Sequence, residues 1–250
     1  MRDTRISART TPAPPVFPPV IATLLGIVLL DTCFPRPPGD AGNPASWPVP
    51  TLVKVVAGAW PSKIVQSAAG LRAAGVLSEF VDAVRQLADE GACAITTSCG
   101  FLVLLQHELQ AGCSVPVVSS SLLQLPGLLQ QQGRVGVLTI SSERLGEEHL
   151  LAAGVPRERL SDVVVQGVDP DSEFVHAIMG NRTTMDLVRA ARDVIAAAVD
   201  LKARAPQLRT LVLECTNMPP YAERIRAATG WRVLSLADSP VLRHALGQAR

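Results

Sequence analysis

From residue 21 onward the chain alternates two patterns: short runs of consecutive apolar residues, and longer stretches in which apolar residues recur every three or four positions. The first is the pattern of strands buried on both faces, the second that of helices lying on them. Strands are predicted at Ile21 to Leu30, Leu52 to Val56, Ala94 to Thr97, Val115 to Val118, Gly136 to Ile140, Asp162 to Gln166, Leu211 to Leu213 and Arg232 to Leu236. Helical spacing is clearest at Phe80, Val81, Val84, Leu87 and Ala88, predicting a helix from Glu79 to Glu90 closed by Gly91. Met185, Val188, Ala191, Ile195, Ala198 and Val199 predict another from Thr183 to Ala205, stopped before Pro206. Further helices are predicted at Phe101 to Ala111, at Leu122 to Gln132 with a break at Pro126-Gly127, and at Glu143 to Ala153 capped by Ser141-Ser142. Tyr221 to Thr229, closed by Gly230, and a last helix opening at Asp238-Ser239-Pro240 complete the series. Strands alternating with helices define an α/β protein with largely parallel sheets.

Residues 1 to 19 carry Thr10-Thr11-Pro12-Ala13-Pro14-Pro15 and Pro18-Pro19, a composition unable to bury a core, and are predicted to be a disordered extension. Two similar halves follow: a first α/β domain over 20–115, completed by 226–250, and a second over 116–225. Between the first two strands, Phe34 to Pro50 holds six prolines. A loop of that length in a compact domain is more often functional than not. Gly58 to Gly75 has only weak helical character.

Two of the strand runs end alike. Ala94-Ile95-Thr96-Thr97-Ser98-Cys99-Gly100-Phe101 and, 116 residues later, Leu211-Val212-Leu213-Glu214-Cys215-Thr216-Asn217 each lead from an apolar run to a cysteine among small polar residues. Both thiols are expected at carboxyl ends of parallel strands, where open α/β sheets bind ligands. A helix beginning there offers free N–H groups and a partial positive charge, lowering a cysteine pKa from its usual ~8.5. Two thiols on opposite faces of a small carbon acid suit racemisation: a thiolate removes the proton next to a carboxylate, and a thiol delivers one from the far side. Thr97, Ser98, Thr139, Thr216 and Ser120 with its neighbours Ser119 and Ser121 stand at strand ends where donors for the enolate-like charge collect. Asp31, closing the first strand, is placed either to assist a cysteine or to cap a turn. Glu214 is expected on the opposite side of its strand from Cys215, in a structural ion pair.

Composition removes other chemistries. The 23 basic and 22 acidic side chains leave a formal charge of +1, so nucleic acid and anionic membrane are not expected partners and small substrates fit better. The five cysteines, Cys33, Cys93, Cys99, Cys113 and Cys215, form no CxxC pair, which reads as a reducing, cytoplasmic compartment with neither a disulfide framework nor a zinc site. His107, His149, His176 and His244 lack metal-ligand spacing, Lys54, Lys63 and Lys202 lack a Schiff-base context, and there is no P-loop, GxGxxG or GxSxG. Val20 to Leu30, at 11 residues, is short of the ~20 that span a bilayer. With Arg2, Arg5 and Arg9 before it the run imitates a signal peptide, but it serves better as a first core strand.

At Leu30-Asp31-Thr32, Thr96-Thr97-Ser98-Cys99-Gly100-Phe101, Gly136-Val137-Leu138-Thr139 and Leu213-Glu214-Cys215-Thr216-Asn217-Met218-Pro219-Pro220-Tyr221 the chain resembles the aspartate/glutamate racemase superfamily, over about residues 20 to 240. The resemblance implies two similar three-layer parallel-sheet domains related by a pseudo-twofold axis, with the active site in the crevice between them. It further implies a small carboxylate or amino-acid substrate, no cofactor, and a homodimer. By position, Cys99 and Cys215 match the catalytic pair, Asp31 the first-strand aspartate, and Thr216 the residue after the second cysteine. Glutamate racemases usually carry Asn-Thr after the first cysteine and Thr-His after the second. Gly100-Phe101 and Thr216-Asn217 hold those substrate-contacting places here, which makes the first more apolar. The chain is thus similar to broader members that include hydantoin racemases, arylmalonate decarboxylases and maleate isomerases. Such decarboxylases usually keep one cysteine, so the pair favours an amino-acid racemase or epimerase. The alternatives are a lyase or cis–trans isomerase using one cysteine on the same scaffold, and a non-catalytic module binding a small ligand.

Overall fold

Among the described residues eight parallel strands form two sheets of four, and both sheets have the same order. The computed structural model describes residues 23–248; the extension predicted over 1–19 and the start of the strand predicted from Ile21 lie outside them. In the first sheet β1 (Leu25–Leu30) lies between β2 (Thr51–Val56) and β3 (Ala94–Thr97), with β4 (Val117–Val118) beyond β3. In the second, β5 (Val135–Thr139) lies between β6 (Val163–Gly167) and β7 (Thr210–Leu213), with β8 (Arg232–Leu234) beyond β7. Each half therefore repeats one plan, with its first and third strands at the centre. Leu25, Ile27, Val28, Ala94 and Ile95 are fully buried, which is why the central strands read as continuous apolar runs.

Parallel strands require crossovers, and helices supply them. In chain order they are α1 (Pro61–Ile64), α2 (Ala68–Ala73), α3 (Leu77–Asp89), α4 (Gln106–Ala111), α5 (Leu125–Gln131), α6 (Glu147–Ala152), α7 (Glu173–Met179), α8 (Leu187–Arg204), α9 (Ala222–Thr229) and α10 (Pro240–Ala245). α3 buries the predicted stripe of Phe80, Val84 and Leu87, and its chain reverses at Gly91, whose φ of 96° favours a residue without Cβ. α8 starts after Asp186 rather than at Thr183, because the Asp186 carboxylate accepts the N–H groups of Val188 and Arg189 and fixes the cap.

Other predicted boundaries move for local reasons. Phe101 to Ala111 is not one helix: a 3-10 segment, Gly100–Leu105, precedes α4. Phe101, Leu102, Val103 and Leu105 are all buried, so no polar face selects the α-helical repeat. Pro126 falls in the first turn of α5, where its missing N–H is not needed, and so opens a helix instead of breaking one. α6 begins after Gly146, since Ser141 to Leu145 closes as a turn with Leu145 N–H on the Ser141 carbonyl. The short helix α7, capped by Ser172, has no counterpart among the predicted elements.

The predicted domain limits each fall one strand early. β4 completes the first sheet and β8 the second. Only past β8 does the chain return, where Leu236, Leu242 and Leu246 pack with Leu25, Ile27, Ala94 and Val118 of the first sheet. The halves are also stitched by hydrogen bonds: Ser121 Oγ donates to the Leu213 carbonyl at 2.7 Å, Thr216 Oγ1 to the Ser98 carbonyl at 2.6 Å, and Arg144 Nη1 to the Val65 carbonyl at 2.8 Å.

Candidate active site

β3 and β7 occupy corresponding places in their sheets, and Cys99 and Cys215 each follow two residues past the strand end. Leu30 and Ile140, at the ends of the neighbouring central strands β1 and β5, join them around one cavity in the crevice. Phe34, Phe101, Ile178 and Glu214 complete most of its wall. Its volume is about 20 Å³, room for about one water. Cys99 and Cys215 are 7% and 6% exposed, so the crevice is closed around them.

The two sulfurs differ in their surroundings. At Cys99 the backbone N–H groups of Phe101 and Leu102 and the Arg36 guanidinium favour the thiolate, the Leu102 N–H being bonded to the Cys99 carbonyl at 3.2 Å. At Cys215 the N–H of Asn217 does so, and Sγ lies 3.5 Å from Asn217 Oδ1, the geometry of a thiol donating to an amide oxygen. Burial pushes the Cys99 thiol up to about 12, with the Glu214 carboxylate as the next cause. Burial and Glu214 likewise raise Cys215 well above the usual thiol range, and Cys99 and Asp40 add to the shift. The lowering expected at a helix start is thus outweighed: loss of water and a nearby carboxylate oppose ionisation more than two N–H groups of a 3-10 turn favour it.

Glu214 corrects the ion pair expected from alternation along the strand. Glu214 follows β7 with its N–H still on the Leu138 carbonyl at 2.8 Å, and it lines the cavity together with Cys215 instead of pairing with a cation. It is fully buried, one oxygen accepting from Thr139 Oγ1 at 2.7 Å and the other, Oε1, lacking a partner. Burial raises its carboxyl to about 7, the Thr139 hydroxyl opposing. Gly100 permits this approach, because a Cβ there would collide with Glu214 Oε1 and the Glu214 carbonyl.

Of the other predicted site residues, Ser98, Gly100, Thr216 and Asn217 line the cavity. Their hydroxyls are engaged with protein: Ser98 Oγ accepts the Leu30 N–H, and Thr216 Oγ1 donates to the Ser98 carbonyl. Thr97, Ser120 and Thr139 stand outside the lining. Thr97 Oγ1 donates to the Ser119 carbonyl, Ser120 Oγ caps the Leu122 N–H, and Thr139 holds Glu214. Asp31 is also outside: its carboxylate accepts the Gly58 N–H at 2.9 Å, the turn-capping alternative, because the backbone bends away after Leu30. Hydroxyls at strand ends were expected as free donors, but burial obliges each to take a nearby backbone or carboxylate partner.

The proline-rich loop contributes residues that the strand-end argument missed. It places Phe34 in the wall and buries Asp40 beside Asn217, where Asp40 accepts from Arg36 Nη1 and Asn217 Nδ2, both at 2.7 Å. The unusual loop length was the signal for them; the individual residues carried none. Behind the wall, His149 meets Phe101 edge-on at 4.9 Å, and burial lowers its pKa.

Fold and site together define a two-lobed, parallel-sheet α/β protein of the racemase type, with a buried thiol from each half facing the crevice. The chain belongs to the Asp/Glu/hydantoin racemase family, whose profile matches residues 55–241. Among curated relatives, a dimethylsulfoniopropionate lyase of Durusdinium sp. clade D is 32% identical over 229 residues, covering 89% of this chain and 74% of that protein. Dimethylsulfoniopropionate lyase 6 of Emiliania huxleyi (strain CCMP1516) is 31% identical over 216 residues, 82% of this chain, which spans 55% of that longer relative. The crystal structure of glutamate racemase from Francisella tularensis subsp. tularensis SCHU S4 with D-glutamate superposes with a TM-score of 0.54 at 15% identity, covering 90% of this chain and 79% of that one. That likeness speaks for the fold alone.

Proposed function

We propose that the protein is a lyase that removes the proton next to the carboxylate of dimethylsulfoniopropionate and expels dimethyl sulfide. The observation that carries this reading is the wall of the cavity. Leu30, Phe34, Phe101, Ile140 and Ile178 line it, and the hydroxyls and the amide among its lining residues already have protein partners. An amino acid brings an ammonium group with three N–H donors, and among the described lining residues Glu214 Oε1 is the buried side-chain oxygen left without a partner. A dimethylsulfonium group brings none and suits apolar walls. Kinship to proteins named for this substrate supports the same choice.

Cys99 is the base in this mechanism, because two backbone N–H groups and Arg36 favour its thiolate over that of Cys215. The Cα–H bond breaks toward Cys99 Sγ, the new C=C bond forms, and the C–S bond breaks with its electron pair going to sulfur. One thiolate and the zwitterion become one thiol, dimethyl sulfide and acrylate, so charge balances. Cys215 remains a thiol, donating to Asn217 Oδ1 at rest and available to the developing enolate-like charge.

An amino-acid racemase is the second reading, favoured by the second buried thiol, since elimination needs only one base. Incubation of the purified protein with dimethylsulfoniopropionate, with headspace gas chromatography for dimethyl sulfide, separates the readings when run beside α-proton exchange of aspartate and glutamate enantiomers in deuterated buffer. Release of dimethyl sulfide supports the lyase. Exchange with inversion and no dimethyl sulfide replaces it with the racemase.

A further inference from the structure

The catalytic cavity has room for about one water, so a substrate must be received elsewhere before it reaches the thiols. Ile140, at the end of β5, lines both that cavity and a second one of about 320 Å³, a volume within the ~300–1,000 Å³ of ordinary ligand pockets. The short helix α7 is shared in the same way: Ile178 lines the inner cavity, Val175 and Met179 the outer. The turn after β5 supplies the polar part of the outer cavity, Ser141, Ser142, Glu143 and Arg144. Among the described residues Arg144 forms no ion pair. Its guanidinium is held by the bond from Nη1 to the Val65 carbonyl at 2.8 Å, and the rest of the fork has no protein acceptor. Val65 caps α1, and it and Pro61, at the two ends of that helix, both line the catalytic cavity. Arg144 thus reaches from the outer cavity to the segment that walls the inner one.

We propose that the outer cavity is a receiving site for a small carboxylate, and that the carboxylate draws the Arg144 guanidinium off the Val65 carbonyl, freeing α1 to open the catalytic cavity. A carboxylate takes two parallel N–H bonds from the fork and carries a full charge, where the Val65 carbonyl takes one bond and carries none. The ligand therefore binds the unlatched form more tightly, and that difference shifts the equilibrium toward it. Glu143 beside Arg144 gives the cavity both signs of charge, and Val175 and Met179 give it an apolar side, which suits a zwitterion with an alkylated cationic end. The proposal rests on the substrate being a small carboxylate, as both the lyase and the racemase readings require.

Propionate is the probe, because it carries the carboxylate and has no group to eliminate. Hydrogen–deuterium exchange of peptides covering residues 61–66 is followed by mass spectrometry in the full chain at constant ionic strength, with propionamide as the neutral control. Propionate should quicken exchange there saturably, by about two- to tenfold, the worth of one hydrogen bond in a local opening equilibrium, and propionamide should not. Arg144→Gln should exchange at the quickened rate without ligand and ignore propionate. Its Cys99 should also react faster with iodoacetamide, read by peptide mass spectrometry, because Pro61 and Val65 belong to the wall around that thiol. An unresponsive parent, an equal response to propionamide, or parent-like exchange or Cys99 reactivity in Arg144→Gln would overturn the proposal. Should Arg144→Gln fail to fold by circular dichroism, Arg144→Lys decides: without the fork it must need about tenfold more propionate for the same effect, and an unchanged requirement is equally fatal. None of these readouts needs turnover, so a protein that releases no dimethyl sulfide loses the lyase reading and still answers the test.

Discussion

Asn217 Nδ2 donates to Asp40 Oδ2 at 2.7 Å, and the Oδ1 of the same amide lies 3.5 Å from Cys215 Sγ. One side chain thus ties the proline-rich loop to the second thiol. Asn217→Ala leaves a buried carboxylate short of a donor and should cost about 1–3 kcal/mol in urea unfolding. Asn217→Asp sets two carboxylates against each other. It should be the worse variant at pH 7, with the gap closing as the pH is lowered. Equal stability of the two at pH 7 would mean that the amide does not hold Asp40.

Gly100→Ala tests the close approach behind Glu214. The added Cβ collides with both the carboxylate and the carbonyl of Glu214, so one of the two strand ends must shift. Overpacking of this kind should cost about 1–3 kcal/mol, seen as a lower melting temperature. Alanine at Gly127, in α5, where nothing lies within 4 Å of an added Cβ, is the control and should melt at or above the parent temperature. An unshifted melting temperature for Gly100→Ala would remove the packing argument.

The strand runs, the main helix stripes and the positions of both cysteines were legible because parallel sheets buried on two faces leave continuous apolar runs, and a strand end is where such a run stops. The role of Glu214 was not. Alternation does not foresee that Glu214 and Cys215 line one cavity at the end of β7, where the Glu214 N–H is still bonded to the Leu138 carbonyl. The hydroxyls were misjudged for a related reason. Ser98, Thr97 and Thr216 stand where donors were expected, but each is bound to a backbone group of another segment, and those partners are fixed only by the fold. Asp40 and Arg36 were hidden inside a loop whose composition announced a function without saying which residues carry it.

Glu214 should also write itself into stability. Its carboxyl titrates near 7 in the folded chain against an ordinary value of 4.5. Between these values the folded state holds a proton that the unfolded state has released, so stability falls as pH rises through the window and is level above it. The full effect is about 3 kcal/mol. Glu214→Gln removes it, so the variant should gain on the parent in urea unfolding as pH goes from 5 to 7. A constant difference across that range would place the Glu214 carboxyl near its ordinary value.

The cysteines should separate by function. If elimination proceeds from Cys99, Cys99→Ala should lower kcat/KM for dimethylsulfoniopropionate by about 10²–10⁴-fold. Cys215→Ala, which removes a donor and leaves the base, should cost clearly less. Equal and complete loss in both variants is the pattern of a two-base mechanism and would favour the racemase.

A cavity of about 20 Å³ admits no carboxylate substrate, so the crevice must open, and Asn181 is placed to govern the opening. It follows α7 in the second half, with Oδ1 accepting the Cys33 N–H at 2.7 Å and Nδ2 donating to the Asp31 carbonyl at 3.2 Å, both at the end of β1. Its φ is 48°, a left-handed backbone that asparagine tolerates better than most residues. Asn181→Ala therefore loses two bonds and adds backbone strain, whereas Asn181→Gly loses the bonds and relieves the strain. Their difference in stability should be about 1 kcal/mol in favour of glycine. Both should speed amide exchange at Cys33, whose N–H Asn181 holds, and both should raise the rate of Cys99 alkylation without changing its pH dependence. If alkylation of Cys99 keeps the parent rate in Asn181→Gly, the halves part at another seam, and the Arg144 bond to the Val65 carbonyl is the next to cut.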